Sequence, residues 1–293
     1  MNIAHLNFAA RDGYPLSATL FTPACAPRAA VLISSATAAS QRYYAAYARF
    51  LATQGFVVMT YDYRGIGGSR WPALEQPMRL RMRDWGRFDM AAAIDFLDER
   101  YRGLPLLAVG HSVGGQLLGF APNRHRISAA LGIAAQSGYW GHWEGLRKLR
   151  MALTWHLAIP LTVAALGRLP AWMTGWELPG GIAREWAHWG RHPQYFSDAR
   201  GRPLHEGFAA YTGALRLISI SDDQDYAPRR AVEALAKIYR NAQIEMQRIA
   251  PADYGRERIG HFGFFRDDMP KAAWLDTAQW LRIQLPAAVP MAA

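Results

Sequence analysis

Pro105-Leu106-Leu107-Ala108-Val109-Gly110-His111-Ser112-Val113-Gly114-Gly115-Gln116-Leu117-Leu118-Gly119-Phe120 is the stretch that organises the chain. Its first five residues form an apolar run of strand length, and 113–120 reads as a helix, with the glycine-flanked serine at the junction. A serine on so sharp a strand-to-helix turn has strained backbone angles and projects its hydroxyl above the strand ends. Gly110 and Gly114, two residues before and two after it, are small because a Cβ there would collide with neighbouring chain. The helix start behind the serine offers backbone N–H groups to a developing oxyanion.

Upstream, an alternating run to residue 10, the turn Arg11-Asp12-Gly13 and the run 16–21 predict a hairpin. Strands are then expected at 29–33, 56–61, 105–109 and 127–134, with helices at 42–54, 87–100 and 113–120 between them. Apolar strands alternating with helices mean a mostly parallel sheet covered on both faces. From 139 to about 206 the rhythm stops, and seven of the eleven tryptophans fall there: Trp140, Trp143, Trp155, Trp172, Trp176, Trp186 and Trp189. It resumes with strand 215–220, helix 229–239, strand 242–249 and helix 272–285. A strand–helix–strand unit needs only about 30 residues, so the gap holds an insertion. It reads as a helical cap, since apolar pockets favour such boundaries. The expected division is 1–138 core, 139–206 cap and 207–293 core.

A serine hydroxyl needs a base. Of the nine histidines, His261 is the candidate, in Gly260-His261-Phe262-Gly263-Phe264-Phe265, after the last strand and before the last helix. His111 adjoins the serine but the turn aims it away; His142, His156, His188 and His192 lie in the insertion and read as structural or pocket-lining. The base in turn needs a carboxylate to fix its tautomer. Ser221-Asp222-Asp223-Gln224-Asp225-Tyr226-Ala227-Pro228 puts three aspartates just past a core strand, with Asp223 preferred and Asp222 and Asp225 as competitors.

These segments, together with Asp62-Tyr63-Arg64-Gly65-Ile66-Gly67-Gly68-Ser69, resemble the α/β-hydrolase superfamily, in particular its capped serine hydrolases, the monoglyceride lipase and serine aminopeptidase-like group. The resemblance covers about 7–137 and 215–285; the cap matches in placement and general composition only. It implies the α/β-hydrolase fold and a Ser112–His261–Asp223 triad. It also implies an oxyanion hole from the Val113 amide and one amide in Ser34-Ser35-Ala36-Thr37-Ala38-Ala39, with Thr37 preferred over Ala36. That loop departs from the family's His- and Gly-containing turn. The Asp62–Ser69 segment reads as a tight supporting turn without chemistry of its own.

Function follows as an expectation: hydrolysis of carboxylic esters of an apolar substrate, with no metal or organic cofactor. Rival readings are an acyltransferase or thioesterase, an aminopeptidase, and a non-catalytic binding homologue. The peptidase would need cap carboxylates, of which Glu144, Glu177, Glu185, Asp198 and Glu206 are the main ones.

Composition narrows the remaining classes. The 293 residues are 51% hydrophobic and 19% charged, which is globular. The net charge of +10 invites a nucleic-acid partner, yet only three of the 33 basic residues are lysines and the arginines are scattered. The densest run, Arg79, Arg81, Arg83 and Arg87, carries no nucleic-acid-binding signature. A single cysteine, Cys25, leaves no internal disulfide or multi-cysteine metal site. The first 20 residues lack the apolar core of a secretory signal. The uncharged stretch 151–167 is shorter than a membrane span and is expected to break at Pro160. A cytoplasmic protein without stable membrane insertion is expected, and the sequence leaves room for a homodimer.

Overall fold

In the computed structural model, residues 1–71 and 76–286 are described. Eight strands form one sheet: β1 Asn2–Ala9, β2 Pro15–Thr22, β3 Ala29–Ser34, β4 Phe56–Tyr61, β5 Leu106–His111, β6 Ile127–Ile133, β7 Ala214–Ile220 and β8 Gln243–Ile249. Their spatial order is β1-β2-β4-β3-β5-β6-β7-β8. The hairpin β1–β2 and its pairing with β4 are antiparallel, and every later pair is parallel. β3 and β4 are buried along their whole length, as strands covered on both faces must be. β8 is the edge opposite β1, and its side chains are largely exposed.

The helices that position the site are α1 Ala45–Thr53, α2 Ala91–Arg100, α3 Val113–Gln116, α4 Gly145–Leu166, α5 Gly180–Arg191, α6 Arg229–Ala236 and α7 Lys271–Ile283, beside short ones at Met82–Asp84, Ala171–Thr174 and Glu206–Ala209. Several differ from the sequence reading. The helix expected at 42–54 opens as a 3-10 turn, Gln41–Tyr44, capped by the Ser40 side chain. The one expected at 113–120 is cut to four residues and continues as a 3-10 turn, Leu117–Phe120. Three glycines in eight residues explain the weak helix, and Gly119 is fixed by the Phe208 ring, 2.2 Å from where its Cβ would lie.

Pro160 does not break the helix, contrary to expectation. A π-turn at Thr154–Ala158 precedes it, and Pro160 occupies the first turn of the segment that follows. The wider turn reorganises the hydrogen-bond ladder where proline lacks an N–H, so α4 runs through 22 residues.

Between β6 and β7 the chain carries α4, α5 and a two-residue strand pairing, Arg168–Leu169 with Leu178–Pro179. Part of this segment belongs to the main core. Trp189 stacks on Phe120 at 5.5 Å and meets Phe196 edge-on.

Candidate active site

Ser112 sits where β5 gives way to α3, with φ +51 and ψ −119. A non-glycine residue there costs roughly 1–3 kcal/mol and persists only when its surroundings impose it. They do: the Ser112 amide donates to the Ile133 carbonyl at 2.9 Å. The flanking glycines are obligatory. A Cβ on Gly110 would lie 2.3 Å from the Gly115 backbone, and one on Gly114 would lie 2.1 Å from the Ser34 carbonyl oxygen.

That last contact ties the serine turn to the loop after β3, so Gly114→Ala tests both at once. The added methyl must push on backbone that carries Thr37. The expected result is a loss of roughly 1–3 kcal/mol of stability from overpacking. A fall in kcat of about 100-fold, the scale of one lost oxyanion donor, should accompany it. Thermal unfolding and steady-state kinetics read the two effects separately.

The 34–39 loop is held at both ends. The Ala36 amide donates to the Tyr44 hydroxyl at 2.8 Å, and the Gln41 amide donates to Asp62 Oδ1 at 2.6 Å. Asp62 also accepts from the Gly68 amide, so the glycine-rich turn after β4 braces this loop. Arg64 from the same turn is buried in ion pairs with Asp89 at 2.6 Å and Asp12 at 2.7 Å. With the Ala36 N–H taken, Thr37 is the neighbouring amide left over; among the described residues no acceptor engages it. Ala38 adopts φ +61, in the left-handed region that favours glycine.

Asp223 and His261 meet: His261 Nδ1 lies 2.5 Å from Asp223 Oδ2, and both residues are buried. The three aspartates of this loop have separate partners. Asp222 accepts from the amides of Ile259 and Gly260 and so shapes the histidine loop. Asp225 pairs with Arg147 and Arg150 on α4. Ser112 and His261 line one cavity, with no direct hydrogen bond between them among those of the described residues. Catalytic contacts often tighten only when substrate is bound.

His111 faces away from the cavity, as expected, and has a task the sequence did not show. The Tyr44 hydroxyl, having accepted from Ala36, donates to His111 Nδ1 at 2.8 Å; His111 Nε2–H donates to the His261 carbonyl at 2.8 Å. Burial holds the His111 pKa well below the usual histidine value, so the ring stays neutral and this direction of donors is fixed. Tyr44 and His111 thus connect the Thr37 loop, the serine turn and the histidine loop. No periodicity or motif marks Tyr44, which acts across the fold.

The cavity above Ser112 has a volume of about 610 Å³. Ala36, Thr37, Ser112, His261 and Phe262 line it from the core, and Trp143, Met151, Trp155, Ile159, Trp176 and Trp186 from the insertion. Among the described residues no aspartate or glutamate lines it, and Arg150 is the one arginine or lysine that does. His142, His156, His188 and His192 do not line it either. Burial lowers the His142 pKa to about 4, and its Nε2 lies 3.1 Å from Ser137 Oγ. A second, polar cavity of about 770 Å³ meets the first at Tyr43, Tyr226, His261 and Phe262.

The architecture recurs among solved structures. Monoglyceride lipase of Saccharomyces cerevisiae, as a soluble variant with a substrate analogue, superposes with a TM-score of 0.67 at 15% identity, over 98% of this chain and 95% of that one. Est1E of Butyrivibrio proteoclasticus, bound to ferulic acid, gives 0.63 at 19% identity, over 93% and 96%. The esterase domain of a Rhodothermus marinus protein gives 0.58 at 18% identity, over 97% and 99%. At these identities the superpositions show the shared fold alone. Compared with curated protein sequences, the chain finds no match. Residues 25–173 match the family model described as serine aminopeptidase, S33. The chain therefore belongs to that family, and is a serine hydrolase of the α/β-hydrolase superfamily.

Proposed function

We propose that the protein hydrolyses carboxylic esters with an apolar acyl portion. Ser112 Oγ attacks the carbonyl while His261 Nε2 takes its proton. Asp223 holds the imidazole through Nδ1 and stabilises it when protonated. The amides of Val113 and Thr37 receive the oxyanion, and His261 returns the proton to the leaving alcohol. Water then repeats the sequence on the acyl-enzyme. The observation that carries this reading is the 2.5 Å His261–Asp223 contact, with His261 and Ser112 lining the same apolar cavity.

The cavity favours esters over peptides. An aminopeptidase must hold a substrate ammonium; none of the five carboxylates named for that role is among the described residues lining the cavity, and four of them are engaged elsewhere. Glu144 pairs with Arg230, Glu177 with Arg70 and Arg168, Glu185 with Arg83, and Asp198 with Arg202. Segment 139–206 serves in this proposal as the cap, its Trp143, Trp155, Trp176 and Trp186 forming the acyl-binding wall.

The test is a p-nitrophenyl ester series of increasing acyl length. Each methylene buried in the cavity contributes about 0.8 kcal/mol, so kcat/KM is expected to rise by up to about fourfold per CH₂ until the cavity is full. Amino-acid p-nitroanilides are expected to be poor substrates. A flat ester series with efficient p-nitroanilide cleavage overturns the reading.

A further inference from the structure

Helix α4 is apolar on both sides. Trp155, Ile159 and Val163 are buried against the protein. On the opposite side Leu146, Leu149, Leu153, Leu157 and Leu161 recur every three or four residues. They are 85%, 56%, 47%, 50% and 64% exposed. A helix that is hydrophobic all round normally lies inside a core, yet only 17% of the most apolar window of this one is buried. Trp172, in the short helix Ala171–Thr174 that follows α4 in the chain, is also 78% exposed. A row of five exposed leucines along one side of a helix marks an interaction site.

Its charges say what it meets. From Gly145 to Trp176 there is no aspartate or glutamate, while Arg147, Lys148, Arg150 and Arg168 are present. Three of these arginines have acidic partners outside that stretch, and Lys148 lies over the Trp140 ring at 5.3 Å. Beside α4, Arg184 and Arg191 flank a groove floored by Pro160, Val163 and Ala164. Neither has an ion pair among the described residues. A second copy docking through this face would set the same cationic rim against itself. An anionic lipid surface complements both the leucines and the rim.

We propose that the exposed side of α4, with Trp172, docks flat on an anionic phospholipid bilayer. Its leucines enter the acyl boundary and its basic rim meets the headgroups. It lies on the surface and does not span, because its other side is packed against the protein. That packed side supplies Met151, Thr154, Trp155 and Ile159 to the cavity above Ser112, so docking sets the cavity beside the lipid. The docking itself does not depend on the proposed ester chemistry.

Flotation of the full chain with vesicles tests it, using phosphatidylcholine alone and an equal mixture with phosphatidylglycerol. Binding to the mixed vesicles is expected, several-fold weaker to phosphatidylcholine, and reduced at high salt. Leu149→Glu/Leu153→Glu/Leu157→Glu is expected to lower the bound fraction by at least ~10-fold at an unchanged melting temperature. Trp172→Ala, at a position too exposed to disturb folding, should weaken binding in the same direction. Failure to float with mixed vesicles overturns the proposal, as does binding that neither variant alters. So does a dimer by light scattering that the triple variant dissociates, which would make this face an interface between copies.

Discussion

Ser112→Ala is expected to reduce kcat/KM on a p-nitrophenyl ester by roughly 10⁴- to 10⁶-fold, the range set by loss of a nucleophile in triad hydrolases. Substrate affinity should be largely kept, because the apolar wall of Trp143, Trp155, Trp176 and Trp186 is untouched. The variant should also be about as stable as the wild type. Alanine and serine both carry a Cβ, so the strain at φ +51 is the same in each. Ser112→Gly separates strain from chemistry. It should be equally inactive yet more stable by about 1 kcal/mol or more, since glycine tolerates positive φ. A glycine variant that loses stability would show that the serine turn is not strained.

Asp223→Asn is expected to lower kcat by roughly 10⁴-fold, because an amide beside Nδ1 favours the wrong tautomer of His261. The neighbouring aspartates give the contrast. Asp225 is solvent-accessible and binds arginines on α4, so Asp225→Asn should leave ester turnover within about threefold, the scale of an exposed ion pair. Asp222→Asn should act through folding of the histidine loop, because Asp222 accepts the Ile259 and Gly260 amides. It is expected to lower the melting temperature with a smaller kinetic loss than Asp223→Asn. Equal kinetic losses for all three would mean that the loop acts only as a scaffold. Steady-state kinetics and thermal unfolding of the three variants make the comparison.

The succession of strands along the chain and the serine turn were legible because they rest on local rules. Apolar runs of strand length form buried parallel strands, and a glycine two residues either side of Ser112 answers a steric demand visible in the structure. His261 stood out by its glycine flanks and its place after the last strand, and the structure sets it against Asp223. What was not legible depends on contacts between distant segments. That the Tyr44 hydroxyl occupies the Ala36 amide could not be read from the sequence, and it supports the preference for the Thr37 amide in the proposed oxyanion hole. The link from Tyr44 through His111 to His261 joins three loops far apart in sequence.

Pro160 shows the reverse case, a local rule overridden. Proline was expected to end the apolar stretch, but the preceding π-turn lets the helix continue. The result is a helix long enough to present one side to the cavity and a full row of leucines outward. The expectation of a helix from 113 to 120 failed because apolar spacing outweighed three glycines in that reading. Their packing against Ala135, Ser34 and Phe208 governs the segment in the structure.

The most direct measurement is reaction of the protein with a fluorophosphonate, followed by mass spectrometry of its peptides. The account predicts one adduct per chain, on Ser112, formed quickly in the wild type and slowed by orders of magnitude in Asp223→Asn. No adduct on Ser112, or an adduct on another serine that survives Ser112→Ala, would contradict it.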